Sequence, residues 1–201
     1  MAISDRRARE RTEREQRILR VAREVAERDG WEAVTTRRLS DAIEYSQPVL
    51  YSHFPDGKAG IAAALALVGA RELAVAIRDR RGSARTPRSR LSRLADAYLG
   101  FAEDNPELYR IMFTAPTTLV FADPDSPAPL REAFAEVLAS VAPSAGTDDP
   151  GTFAEVVWSA LHGLATLGRA GRLSRPSHEA RVRLLVDRFS APGRAGATTA
   201  R

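Results

Sequence analysis

Apolar residues fall three and four positions apart over almost the whole chain, and this periodicity removes most folds from consideration. In "RILRVAREVAERDG", Ile18, Leu19, Ala22, Val25 and Ala26 form such a stripe, with arginines and glutamates opposite. Leu91, Leu94, Tyr98 and Phe101 repeat it as far as Asn105-Pro106, where the proline stops a helix. No stretch sustains strand alternation, and no internal repeat appears. The prediction is an all-α protein of about nine helices. Its 201 residues, 44% of them hydrophobic, are enough for one or two compact domains with a core.

Several function classes are excluded early. There is no cysteine, so disulfides and thiolate metal sites are ruled out and a reducing compartment is compatible. His53, His162 and His178 show no ligand spacing, so no metal and no cofactor is expected. No serine or carboxylate stands in a nucleophile-elbow or paired-acid context, and no glycine-rich phosphate loop appears; no catalytic residue and no enzyme activity is expected. The longest apolar run, "IAAALALVGA" at 61–70, is about half of what a bilayer span needs. The N-terminus is charged throughout and lacks a signal peptide's apolar centre. A cytoplasmic protein without membrane contact is the expectation. Net charge is +4, mildly basic. In residues 1–20, arginines 6, 7, 9, 11, 14, 17 and 20 face only Asp5, Glu10, Glu13 and Glu15.

Stop and start signals divide the chain. Gly30 closes the first helix. Thr35 or Thr36 can cap a second, whose inward residues are Leu39, Ala42 and Ile43. After a hinge at Glu44 to Ser46, Ser46 can cap a third, with Pro48 in its first turn. Lys58 opens a long alanine-rich helix to about Arg80. "RGSARTPRS" at 81–89 is a polar corner. Helices at "ELYRIMF", "LREAFAEVLASV", "TFAEVVWSALHGLATLGRAG" and "SHEARVRLLVDRFSA" follow, separated by loops, and residues 191–201 read as a disordered tail. The resulting division is 1–57, an arm with a helix-turn-helix; 58–82, a linking helix; 83–190, a helical C-terminal domain; and the tail.

"TTRRLSDAIEYSQPVLYSHF" at 35–54 carries the chemistry. Three short helices, the second and third joined by a tight turn, make a helix-turn-helix bundle, in which the later helix lies in the major groove. Gln47 can take N6 and N7 of adenine, and Pro48 and Val49 can meet a thymine methyl. Tyr51 and His53 offer an OH and an N–H to phosphates. Arg37 and Arg38 can reach a guanine edge or a phosphate. Lys58 stands at a helix N-terminus, which already favours an anion. Taken singly, Tyr51 reads equally as a half-buried core tyrosine and His53 as an ordinary surface residue; the conjunction discriminates.

Residues 18–66 resemble the DNA-binding domain of the TetR/AcrR repressor family. The resemblance is carried by Gly30, Thr35-Thr36, Leu39, Ser46, Leu50-Tyr51-Ser52-His53-Phe54 and Lys58. It implies that Thr36, Arg37, Gln47, Pro48, Val49, Tyr51, His53 and Lys58 face double-stranded DNA. Glu44 stands where the family has a hinge glycine, a position that typically takes φ > 0 at a strain cost of order 1 kcal/mol for other residues. The "PDGK" turn is also one residue longer than in the family pattern.

Most aromatic residues of 91–164, including Leu108 and Phe121 among their apolar neighbours, read as helical core. Trp158 and His162, one turn apart on an apolar helix, are different, because a buried imidazole needs a partner: a Tyr98 or Tyr109 hydroxyl, or a ligand. "WSALHG" and "NPELYRIMF" resemble a C-terminal domain with a Trp-His-Gly segment found in one TetR-like subgroup, over about 85–189. That resemblance implies an effector-binding and dimerisation domain with Trp158 and His162 near the pocket. The expected lining is Tyr98, Phe101, Tyr109, Met112, Phe113, Phe134, Trp158, Leu161 and His162. The last two helices carry apolar stripes through Phe153, Val157, Leu161, Leu164 and Leu167, and through Val182, Leu185, Val186 and Phe189. The stripes alone fit an intramolecular core equally well. The family packs these helices in a two-fold four-helix bundle, which implies a homodimer interface at Val157, Leu164, Leu167, Leu185 and Phe189.

The combined expectation is a dimeric transcriptional repressor released from a pseudo-palindromic operator by a small apolar or amphipathic effector. Two other classes compete: a helical dimeric interaction module without DNA binding, which Glu44 keeps open, and an enzyme using a Trp158/His162 cavity.

Overall fold

A computed structural model gives the fold of residues 2–116, 119–120 and 123–190. Nine α-helices and no strand occur among the described residues: α1 (Ala2–Asp29), α2 (Thr36–Ile43), α3 (Gln47–His53), α4 (Lys58–Arg81), α5 (Pro87–Asp104), α6 (Pro106–Thr114), α7 (Ala128–Val141), α8 (Pro150–Arg169) and α9 (His178–Ser190). Phe121 and the tail at 191–201 lie outside the described residues.

α1 is longer than its apolar stripe, and α4 has the expected bounds but a longer apolar stretch than the run at 61–70. The segment before Ile18 continues α1 back to Ala2. Arginine, glutamate and alanine are good helix formers, and Arg6–Glu10 and Arg11–Glu15 pair at i,i+4. α4 runs for 24 residues and contains an 18-residue window of mean hydropathy 1.8, so by length and composition it could cross a bilayer. The run at 61–70 understated it because alanines and valine beyond Ala70 extend the apolar character. Within the chain Ile61, Leu65, Leu73 and Ile77 of α4 are buried.

The chain forms two compact units. The first comprises residues 1–70 and 105–127, and so takes in α6; the second comprises 71–104 and 128–201. α4 contributes to both.

In the first unit, Ile18, Ala22, Val25, Trp31, Val34, Leu39, Ile43, Leu50 and Ile61 form the core. α6 is fixed to α1 by polar contacts. Asn105, at the N-cap of α6, makes no capping bond with its side chain. Instead the Glu27 carboxylate accepts from the N–H groups of Glu107 (3.0 Å) and Leu108 (2.9 Å), satisfying donors that the helix leaves open. Arg23 donates to Asn105 Oδ1 at 2.7 Å, and Glu107 accepts from the Trp31 N–H at 3.0 Å. Where α4 passes α6 there is no room for a side chain: a Cβ on Gly69 would lie 2.5 Å from Met112 Sδ and 3.2 Å from Leu108 Cγ.

In the second unit α5 packs against α7, α8 and α9. Leu91, Leu94, Tyr98, Val137, Val141, Val157 and Leu161 are buried there. Asp149 caps α8, accepting from the Thr152 N–H at 2.8 Å. These bonds hold its carboxyl below the usual carboxylate value.

Candidate nucleic-acid interface

Thr35 starts α2: its hydroxyl accepts from the Arg38 N–H at 3.1 Å, which resolves the choice between the two threonines. α2 ends at Glu44, which adopts φ 59°, ψ 33° and is the one non-glycine residue with positive φ among those described. The left-handed turn lets the Tyr45 N–H reach back to the Ser40 carbonyl at 3.1 Å. Ser46 occupies the N-cap of α3, but its hydroxyl makes no capping bond; its carbonyl accepts from Val49 and Leu50 instead.

α3 turns Leu50 into the core and leaves Gln47, Pro48 and Tyr51 exposed, with Val49 half-buried. Tyr51 is 44% exposed. Its ring lies over Gly57, where a Cβ would sit 3.3 Å from Tyr51 Cε1 and 3.7 Å from Thr36 Cγ2. Gly57 takes φ 56° and thereby brings Thr36 and Tyr51 to one patch. Arg37 is exposed on the preceding helix and forms no ion pair among the described residues.

The remaining expected contacts are held by the protein itself. Arg38 pairs with Asp29. Burial acts to raise the Asp29 carboxyl, but hydrogen bonds from Arg28 and Arg38 outweigh it and keep the group below its ordinary value. Lys58 lies 4.9 Å above the Trp31 ring and 3.5 Å from the Glu32 carboxylate. Glu32 is 85% exposed, so that pair is weak and can exchange for another anion. His53 departs most from expectation. It is buried at the end of α3, with Nδ1 3.2 Å from Glu15 Oε1. One turn earlier on α1, Arg11 donates to the Ser52 carbonyl at 3.2 Å. Arg11 and Glu15 therefore clamp the end of α3, a role that the sequence reading missed although their i,i+4 spacing was visible. Arg17, over the Tyr45 ring at 5.5 Å, ties α1 to the hinge.

The expected effector residues divide between the two units. Tyr98, Phe101, Phe134, Trp158, Leu161 and His162 belong to the second, and Tyr109, Met112 and Phe113 to the first. Tyr98 is fully buried and its hydroxyl accepts from Trp158 Nε1 at 2.9 Å. Phe134 packs edge-on against Trp158 with centroids 6.3 Å apart. Burial lowers the His162 pKa, which keeps the imidazole neutral at pH 7. Tyr109 and Phe113 stack at 4.7 Å, and Met112 fills the space over Gly69. An open cleft of about 550 Å³ between α5 and α9 is lined by none of these nine residues.

Val157, expected at a dimer face, is fully buried within the chain and offers no surface to a partner. The exposed apolar residues of these helices are Val156 at 50%, Leu184 at 56% and Leu167 at 48%. Leu164, Leu185 and Phe189 are half-buried, Phe189 against Phe153 at 5.8 Å.

A family model described as bacterial regulatory proteins, tetR family, matches residues 18–65. A second, described as tetracyclin repressor-like, C-terminal domain, matches residues 91–189. Together they take in well over half of the chain, and neither description names a Trp-His-Gly subgroup. No curated protein matches significantly. Among solved structures, a protein with unknown function from Rhodococcus sp. RHA1 is 25% identical, with TM-score 0.70, over 87% of this chain and 92% of its own. PfmR, a TetR family transcriptional regulator from Thermus thermophilus, is 21% identical with TM-score 0.59, covering 86% and 96%. A TetR variant from Acinetobacter baumannii AYE, in complex with minocycline, is 18% identical with TM-score 0.62, covering 86% and 91%.

Proposed function

Since the chain belongs to the tetR family of bacterial regulatory proteins and is a DNA-binding transcriptional regulator, we propose that it acts as a homodimeric repressor released by a small effector. The observation that carries the reading is the exposed face of α3. Gln47, Pro48 and Tyr51 stand out from a helix whose Leu50 is locked in the core, with Arg37 exposed on the helix before it. Gln47 reads an adenine edge; Tyr51 and Arg37 hold phosphates. Lys58 exchanges Glu32 for a phosphate when DNA arrives. One such head makes few base contacts. A two-fold dimer through Val156, Leu164, Leu167 and Leu184 doubles them on a pseudo-palindrome.

The effector, apolar or amphipathic, contacts the aromatic residues around Trp158 and His162. It lowers DNA affinity only by as much as it prefers a conformation that does not fit the operator. Two features support a route for that preference. α4 begins at Lys58 beside the reading head and ends at Arg81 in the second unit. α6, with Tyr109, Met112 and Phe113, is bonded to α1 through Glu27 and Arg23.

Selection of bound duplexes from a random pool, using the full-length protein, tests the reading. Enrichment of one inverted repeat, bound with a steep loss of affinity at rising salt, is expected. Failure to enrich any sequence, with weak and salt-insensitive binding, overturns it in favour of an interaction module.

A further inference from the structure

The face of α1 that carries Ile18, Ala22 and Val25 in the core continues N-terminally as Arg14, Arg11 and Arg7, at the same three- and four-residue spacing. The stripe turns from apolar to basic where the body of the unit ends. Glu15 meets His53 and Arg11 meets the Ser52 carbonyl, so successive turns of α1 pass the last residues of α3 and then run beyond them. Ser4 to Arg9 are exposed without exception. Arg7 and Arg9 make no ion pair among the described residues, while Arg6 and Arg14 share the single carboxylate of Glu10. Such i,i+4 pairs supply only about 0.2–0.5 kcal/mol each, little to hold a helical segment whose residues 4–9 are exposed. Asp5 and Glu13 are the other acids on this segment.

We propose that the first turns of α1 form a second DNA-contacting element, an arm whose Arg7 and Arg14 lie along backbone phosphates flanking the base pairs that α3 reads. The inference rests on the repressor reading above. The clamp made by Arg11 fixes the arm's direction relative to α3, so it engages the same duplex. Its contacts are to phosphates and carry no sequence preference. Glu10 restrains the arm in the free protein by holding Arg14, and the phosphates compete for that arginine.

The test uses full-length protein and a 30-base-pair duplex of arbitrary sequence, with the dissociation constant followed against salt by fluorescence anisotropy. The double variant Arg7→Ser/Arg14→Ser is expected to flatten the plot of log Kd against log salt by about 0.9 for each phosphate that is no longer neutralised. It is also expected to weaken binding at low salt by at least tenfold. Glu10→Gln, which frees Arg6 and Arg14, is expected to tighten binding, an effect that no folding defect produces. Either variant with wild-type slope and affinity overturns the arm while leaving the reading head intact. Wild-type protein that fails to bind the duplex at all removes the repressor reading, and the arm with it.

Discussion

The Glu15 carboxylate lies 3.2 Å from the imidazole of His53, across the junction of α1 and α3. The two residues are 38 apart in sequence, and their contact gives His53 a partner within the protein. His53→Ala is therefore expected to cost stability of about 1–3 kcal/mol, as removal of a buried polar partner does. Tyr51→Ala, two residues away on the exposed face, is expected to leave Tm nearly unchanged and to weaken binding to all duplexes alike. Thermal denaturation beside anisotropy separates the two; a His53 variant with unchanged Tm and a shallower salt slope reverses the assignment.

Gln47 is exposed at the start of α3, and a glutamine amide is able to pair with adenine through two hydrogen bonds. Gln47→Ala is expected to remove about 1–3 kcal/mol of discrimination at one base pair per half-site and to leave the salt slope alone. Binding measured across a panel of single-base operator variants checks this; an unchanged preference profile disposes of the contact.

Much of this architecture was legible in the sequence because it is local. Apolar spacing gave the helices, and Thr35, Gly30 and Pro106 marked ends by rules that act within a few residues. α3 was found because Ser46, Pro48 and the break after Phe54 bound one short helix. What escaped were contacts between distant residues. Nothing near Glu27 announces that it caps α6, 80 residues on. The burial of His53 was not legible because its position on α3 is ambiguous until α1 is laid against it. The burial of Val157 was not legible because an apolar helix such as α8 has two plausible inward faces, and only packing against α5 and α7 chooses between them.

Glu44 carries a left-handed conformation that glycine adopts at no steric cost. Glu44→Gly is expected to raise stability by up to about 1 kcal/mol, the strain relieved less the extra entropy of the unfolded chain. Thr35→Ala, which removes the α2 cap, is expected to cost about 0.5–2 kcal/mol, whereas Ser46→Ala, whose hydroxyl caps nothing, should cost little. Urea denaturation of the three variants orders them. Equal losses for Thr35→Ala and Ser46→Ala would show that the capping assignment is wrong.

His162 sets the pH response of the second unit. Its folded pKa is lowered by burial, so the unfolded chain binds a proton first as pH falls. Stability is complete above the unfolded value near 6.5 and declines as pH drops from there toward the folded value. The carboxyls of Asp29 and Asp149, also lowered, contribute stability above the ordinary carboxylate range that is lost at still lower pH. The unfolded imidazole takes up its proton before the carboxyls do, so the onset of the decline belongs to the imidazole. Replacing it with a neutral ring of similar size, His162→Phe, is expected to abolish the loss of Tm that begins as pH falls below about 6.5 while preserving the acid transition of the carboxyls. A variant that retains the wild-type slope there assigns the proton uptake elsewhere. Because an effector seated against Trp158 would deepen the burial of His162, the same titration repeated with a bound ligand should leave the onset of the first decline in place and extend it to lower pH, which makes the imidazole a reporter for effector binding.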